Sequence, residues 1–569
     1  MKKISLDPLK NYLPLWLKNF LSHMSVLERI LLVILILLLF LSAILFVTGF
    51  IQRNTHVVAE SGGTYTEASL GQPRYLNPIL ATANDLDVDI SRLVYSSLFR
   101  LDDSLNVQPD LAESYEISSD KTEYTIHLRH DVSWHDGQSF TANDVVFTVR
   151  SIQTPDYGSP LISAFQGVDV EKLDDFTVRF KLKQPYAPFL ASLTVGIAPQ
   201  HVWENIAPKN AALAEQMLKP VGTGPFKFSE LVTKRSTGEI TGLQLLRNTN
   251  YYGQRPYINE IVFNFYPSHQ EALQALLSGH ADGVSFLPLQ LLDKVEKKNS
   301  LTLHRLLLPQ YFSLFFNQER STTLRDANVR NALALATDRQ AIISEALANE
   351  GEPLQIPLPG TPLNNQPSVA FDPTAAQKVL EDAGWKDIDG DGVREKDNQR
   401  LHLKITTTDW PEYVHTAEII QKQWRNIGIE TEIEHMGAGT IQQSVVRPRE
   451  YDILLFGEIL SVDPDLYPFW HSTQAKSPGL NLSLFKNKDI DTLLEKARQT
   501  LSREERLQTY TTFDQKFMEL KPALILYRPH YLFVTKDSVH GVTIQHADLP
   551  AGRFNNIEQW HVRTRRIWN

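Results

Sequence analysis

The chain has 569 residues, 42% hydrophobic and 21% charged, a globular composition long enough for about three domains. Lys and Arg number 56 against 66 Asp and Glu, and the part beyond Arg53 carries 50 against 64, a balance of −14 that disfavours nucleic acid as a partner. Cysteine is absent, which excludes disulfide scaffolds, thiolate metal sites, thiol nucleophiles and thioether lipid anchors.

Residues 30–51 contain no charge and would span roughly 33 Å as a helix, close to the ~30 Å hydrocarbon core of a bilayer. The run exceeds a signal-peptide core, and no small-x-small cleavage site follows it. Five Lys and Arg precede it, so the positive-inside rule keeps residues 1–29 in the cytoplasm and places the main part of the chain outside. The reading is an uncleaved, single-pass signal anchor in the cell membrane. Leu13, Trp16, Leu17, Phe20, Leu21 and Met24 follow helical spacing, which fits an interfacial helix or one packed on a membrane partner. Residues 52–61 read as a short polar tether.

Beyond residue 61 the two periodicities interleave. Alternation predicts strands at 123–128, 176–182, 243–247 and 261–266. Helical spacing predicts helices at 141–152, 269–278, 326–347, 373–383, 414–426 and 489–500. Thr141 with Asp144, and Asp372 with Pro373, carry helix-start signals. Interleaving along the whole length favours an α/β architecture.

Catalytic motifs are missing: no GxSxG, HExxH, Walker A or GxGxxG occurs. Gly222-Thr223-Gly224-Pro225-Phe226 lacks the Lys of a phosphate loop and reads as a tight turn. Asp387, Asp389, Asp391 and Glu395 occupy positions 1, 3, 5 and 9 of a calcium-like loop with Gly392 at position 6. Position 12 is Asn398 where a bidentate Glu is needed. The loop is either a structural calcium site or an Asp/Gly hairpin that needs no ion, and no other cofactor is expected.

Residues 112–149, AESYEISSDKTEYTIHLRHDVSWHDGQSFTANDVVFTV, resemble the signature region of bacterial extracellular solute-binding proteins of family 5, the oligopeptide- and dipeptide-binding proteins of ABC transporters. Leu76-Asn77-Pro78, Phe316-Asn317, Val329-Arg330-Asn331-Ala332-Leu333, Ala383-Gly384-Trp385 and Asp463-Pro464-Asp465 recur in the family's order. The resemblance implies a type II periplasmic-binding fold of two lobes with an extra domain, after one transmembrane helix. Domain I would be 62–97, 218–305 and 522–569, domain II 98–217, and domain III 306–521, with hinge strands near 306–312 and 523–528. It also implies a binding protein, not an enzyme, that hands a peptide or other small solute to ABC permease subunits. A peptide-sensing receptor on the same fold is the alternative.

Peptide-binding members anchor the ligand's α-ammonium with an Asp in a Trp-x-x-Asp-Tyr segment. The corresponding run, 457–465, starts at Gly457, places Glu458 at the Trp, and puts Ser461 or Leu460 at the Asp. Glu458 or Asp463 would then supply the charge, pointing to a cationic or donor-rich solute, or both acids are ordinary surface groups. Tyr311, Phe312, Tyr467 and Trp470 are candidate aromatic walls or core residues, and Asn77 marks the cleft edge.

Overall fold

The computed structural model describes residues 23–81, 84–358 and 370–569. Leu13, Trp16, Leu17, Phe20 and Leu21 of the expected interfacial helix lie outside the described residues. The chain forms two units, one made of residues through Glu60 together with Arg563–Asn569, the other Ser61–Val562.

In the first unit the apolar run is a helix, Val26–Asn54, longer at both ends than the uncharged span. Ser25 opens it with a capping box: its hydroxyl accepts from the Glu28 N–H while the Glu28 carboxylate accepts from the Ser25 N–H. None of its residues is buried, as suits a helix that is apolar all round. The expected tether is regular structure. Residues 52–54 finish the helix, and Thr55–Glu60 pairs antiparallel with Arg563–Trp568. Residues 563–569 therefore leave the expected domain I. Their strand partner lies some 500 positions away, beyond the reach of local periodicity.

The second unit is built on a mixed sheet. One half runs Phe226–Thr233, Ile240–Arg247, Glu260–Tyr266, Thr64–Leu70 and Gly283–Val284; the other runs Glu430–Met436, His402–Thr408, Ile453–Ile459 and Gln310–Phe316. The long strand Ala523–Lys536 belongs to both. Its first residues pair with Gln310–Phe316, and its later ones with Leu301–Leu307 and Gly283–Val284. A separate antiparallel sheet orders Ala112–Ile117, Glu123–Leu128, Thr177–Lys181 and Asp169–Asp174.

Most predicted elements sit where the patterns put them. Strand 123–128 agrees at both ends, and helix Ala142–Gln153 carries the Thr141–Asp144 capping box. The pattern at 326–347 is instead two helices, Ala327–Leu335 and Arg339–Ala346. Asp338 breaks it, because its carboxylate accepts from the N–H groups of Gln340 and Ala341 and starts a new helix. The glycine turn at 222–224 passes against the end of helix Asp85–Val94, where a Cβ on Gly222 would stand 1.9 Å from the Val94 carbonyl oxygen. Only glycine permits that approach.

Gln310–Phe316 is buried on both faces, as central strands of such sheets are. Phe312, Leu314 and Phe316 join one core; Tyr311 and Phe315 join the other with Trp470, Tyr510 and Phe513.

Candidate ligand cleft

The chain passes between the half-sheets twice, through Leu308-Pro309 and along Tyr527-Arg528-Pro529. A cavity of about 320 Å³ opens at this crossing, within the size range of small-molecule sites. Leu307, Leu308, Pro309, Arg528 and His546 form one side; residues 460–464 with Arg503, Arg506 and Tyr510 form the other; Ser104 and Leu105 close an end. A cavity of about 520 Å³ between segments 100–110, 251–254 and 555–559 shares Ser104 with the first but contains no predicted site residue.

Every polar side chain of the wall 460–467 has a hydrogen-bond or ion-pair partner. Leu460 N–H donates to the Pro309 carbonyl at 2.7 Å, tying the wall to the Leu308-Pro309 passage. Ser461 Oγ donates to the Asp463 carbonyl at 2.6 Å, and Tyr510 hydroxyl donates to the Pro464 carbonyl at 2.8 Å. Asp463 pairs with Arg506 at 2.6 Å, and Asp465 pairs with Arg498 at 2.6 Å. Helix Arg503–Leu520 supplies Arg506 and Tyr510; helix Lys488–Gln499 supplies Arg498.

Of the predicted ligand residues, Ser461 and Asp463 line the cavity. Tyr311 and Trp470 are core side chains, 0% and 1% exposed. Phe312 stacks on Tyr527 with ring centroids 5.3 Å apart. Gly457 lies beneath that ring, where a Cβ would stand 2.7 Å from Phe312. Asn77 is buried, its side-chain oxygen accepting from the Ile79 N–H at 2.9 Å, an Asx turn.

Glu458 sits on the inner face with Leu454 and Phe456, and its carboxylate accepts from the Tyr311 hydroxyl. Burial pushes the Glu458 carboxyl well above its usual range, against the opposing effects of Tyr311 and Arg449. It is a buried core acid, absent from the cavity lining. Burial also raises Asp463, and Arg506 opposes that shift.

The charges that face the cavity are mostly cationic. Arg503, Arg506 and Arg528 stand against Asp463, which Arg506 already occupies. Arg503 donates to the Asn106 side-chain oxygen and has no carboxylate partner among the described residues. Arg528 Nη2 pairs with Glu352 at 2.5 Å, while its Nε is buried without a hydrogen-bond partner among the described residues. Sequence reading missed this wall: positions 503 and 506 look like an ordinary solvated first turn, and only the fold brings 528 beside them.

The calcium-like loop is partly assembled. Carboxylate oxygens of Asp387, Asp389 and Glu395 lie within 4.8 Å of one another. Asp391 turns away to Arg400 at 2.7 Å. The loop acids also accept from the hairpin's own N–H groups, Asp387 from Gly390 and Gly392, Asp389 from Asp391, and Glu395 from Ile388. Those bonds hold the turn in the geometry of an Asp/Gly hairpin.

Residues 106–478 match the family described as bacterial extracellular solute-binding proteins, family 5 Middle. The oligopeptide-binding protein AppA of Bacillus subtilis (strain 168) is 30% identical over 516 residues, 88% of this chain and 92% of that protein. The structure of AppA in complex with a nonapeptide superposes with a TM-score of 0.69, covering 89% of this chain and all of that one. NikZ from Campylobacter jejuni, solved in complex with Ni(L-His), is 27% identical with a TM-score of 0.71, covering 88% of this chain and 99% of that one. The dipeptide-binding protein of Escherichia coli (strain K12) is 26% identical over 522 residues, 87% of this chain and 94% of that protein.

Proposed function

This chain belongs to the bacterial extracellular solute-binding proteins of family 5, and from that premise we propose that it captures a small, carboxylate-bearing solute in the hinge cleft and delivers it unchanged to an ABC importer. Its fold is the mixed α/β type II periplasmic-binding fold. The half-sheets correspond to domain I (62–97, 218–305 and 522–562) and domain III (306–521), with the four-stranded sheet in domain II (98–217). The helix Val26–Asn54 serves as the anchor, with residues before it in the cytoplasm and the binding unit outside.

The observation that carries this reading is the guanidinium wall at the crossing of the half-sheets. Arg503, which forms no ion pair among the described residues, and Arg528 line the cavity beside Arg506, and guanidinium groups are the side chains best suited to a carboxylate. Among the described residues the carboxylate that an α-ammonium would meet in the cavity is Asp463, already paired with Arg506. AppA's nonapeptide and NikZ's Ni(L-His) both carry carboxylates, so a peptide or a carboxylate chelate fits the same chemistry.

Closure follows from differential affinity. A solute touching both walls binds the closed arrangement more tightly, and a shift from 1:99 to 99:1 takes about 5.5 kcal/mol. Two charge-assisted pairs at ~1.5–3 kcal/mol each approach that figure. The test is mass spectrometry of small molecules that co-purify with the full chain, followed by calorimetric titration with whatever is found. A carboxylate-bearing solute bound at one site and released intact supports the proposal. A chemically altered solute, or one lacking an anionic group, overturns it.

A further inference from the structure

We propose that the ribbon formed by Thr55–Glu60 and Arg563–Trp568 is a membrane foot that binds anionic lipid headgroups. The inference rests on the membrane-anchored reading above and adds a second, sequence-remote segment to it.

The ribbon is fastened to the end of the apolar helix. Asn569 N–H donates to the Asn54 carbonyl at 2.9 Å, and its side-chain amide donates to the Arg53 carbonyl at 3.3 Å. These are carbonyls a helix end leaves without intrahelical partners. Arg566 donates to Thr55 Oγ1 at 3.0 Å, and His56 Nδ1 lies 2.7 Å from Asn569 Oδ1. Thr55 follows the uncharged span by four residues, about 6 Å of helix rise, which is the depth of the headgroup layer.

What the ribbon presents suits that layer. In the register, Arg566 stands opposite Val57 and Trp568 opposite Thr55, so these four share one face. Trp568 is 64% exposed and Val57 53%, and the Trp568 ring lies 6.3 Å from Phe50 on the helix. The apolar surface of the helix thus continues onto the ribbon, an arrangement costly in water and favourable at a bilayer interface. Arg563, Arg565 and Arg566 are exposed and form no ion pair among the described residues, and Arg53 adds a fourth cation at the last helical turn. Four guanidiniums therefore gather in one short unit of a chain that is otherwise acidic. Trp568 shares its face with Arg566, and Arg563 and Arg565 extend from the opposite face, so an interfacial tryptophan stands with cations on both faces of the ribbon, the chemistry of anionic phospholipid binding.

The experiment uses the full chain in lipid vesicles, with Trp568 fluorescence taken as the difference between wild type and Trp568→Phe. Brominated phosphatidylglycerol and brominated phosphatidylcholine are compared as quenchers at equal mole fraction. We expect the anionic lipid to quench the Trp568 component about twofold more strongly, with the ratio falling to one in the Arg563→Gln/Arg565→Gln/Arg566→Gln variant and in high salt. The cytoplasmic lysines do not enter this difference signal. Equal quenching by both lipids, or none by either, in a chain that still partitions with the vesicles overturns the foot and leaves the anchor standing. A chain that does not partition overturns the anchored reading and the foot with it.

Discussion

Arg498 donates two hydrogen bonds to Oδ2 of Asp465, at 2.9 and 2.6 Å, while its guanidinium lies 4.0 Å over the ring of Tyr467. The same guanidinium lies 5.4 Å from the Tyr186 ring, and the Arg498 carbonyl accepts from the Ala187 N–H at 2.8 Å. One residue thus joins the cleft wall to the segment at 186–187, its side chain through Tyr186 and its backbone through Ala187, just after the four-stranded sheet. Asp465 is 6% exposed, so loss of its partner leaves a buried charge uncompensated. Arg498→Ala should lower stability by about 2–4 kcal/mol by denaturant titration and weaken solute binding about tenfold. Arg498→Lys, which keeps the charge but not the paired donors, should recover only part of both.

Gly457 is held to glycine by packing and not by backbone angle, since a Cβ there would stand 2.7 Å from the Phe312 ring. That ring is itself clamped between Tyr527 and Tyr413, with centroids 5.3 and 4.9 Å away, and has little room to yield. Gly457→Ala should cost about 1–3 kcal/mol. Adding Phe312→Leu should recover part of the loss, a coupling that a double-mutant cycle measures.

Glu458 gives a stability that depends on pH in an uncommon direction. Its folded carboxyl is held far above the ordinary 4.5, so above that value the unfolded chain has released the proton while the folded one keeps it. The unfolded state then binds fewer protons, and this residue lowers stability as pH rises, by up to about 1.4 kcal/mol per pH unit until the folded carboxyl itself ionises. Glu458→Gln, which still accepts from Tyr311, should match wild type near pH 4 and exceed it at pH 7. Denaturant midpoints across that range would show the divergence, and parallel curves would contradict a buried neutral acid.

Glu350 should act in the opposite sense. Burial raises its carboxyl, but hydrogen bonds from His530 and Arg305 override this and hold it down to about 2. Its stabilisation is complete above the ordinary 4.5 and fades as pH falls toward 2. Glu350→Gln should flatten the acid limb of the stability curve while costing about 2–4 kcal/mol near neutrality, where His530 loses its carboxylate partner and Arg305 keeps only Glu296 at 4.0 Å among the described residues.

Local signals in the sequence were read well and remote ones poorly. The capping box at Thr141–Asp144 and the alternation at 123–128 involve neighbours a few residues apart, and both stand as expected. The family resemblance points to the run 457–465, of which 460–464 line the cavity, but says nothing of the direction of its side chains. The alternation of Leu454, Phe456 and Glu458 places Glu458 on an apolar face, a third placement beside the cleft acid and the surface acid between which the sequence reading left it open. Tyr311, Phe312 and Trp470 suit wall or core, with core the commoner place for such aromatics, because aromatic residues serve both. The guanidinium wall draws on positions 503, 506 and 528, and the foot joins residues 55–60 to 563–568. Neither juxtaposition exists until the chain has folded.

The cationic character of the cleft is the central claim, and calorimetric titration of the full chain with matched peptide pools, one with free and one with amidated C-termini, tests it most directly. Wild type should bind the free-carboxylate pool at least about tenfold more tightly, and Arg528→Gln should lose most of that preference while keeping its fold. Equal affinity of wild type for both pools, or a preference that survives Arg528→Gln and Arg503→Gln together, would contradict the account.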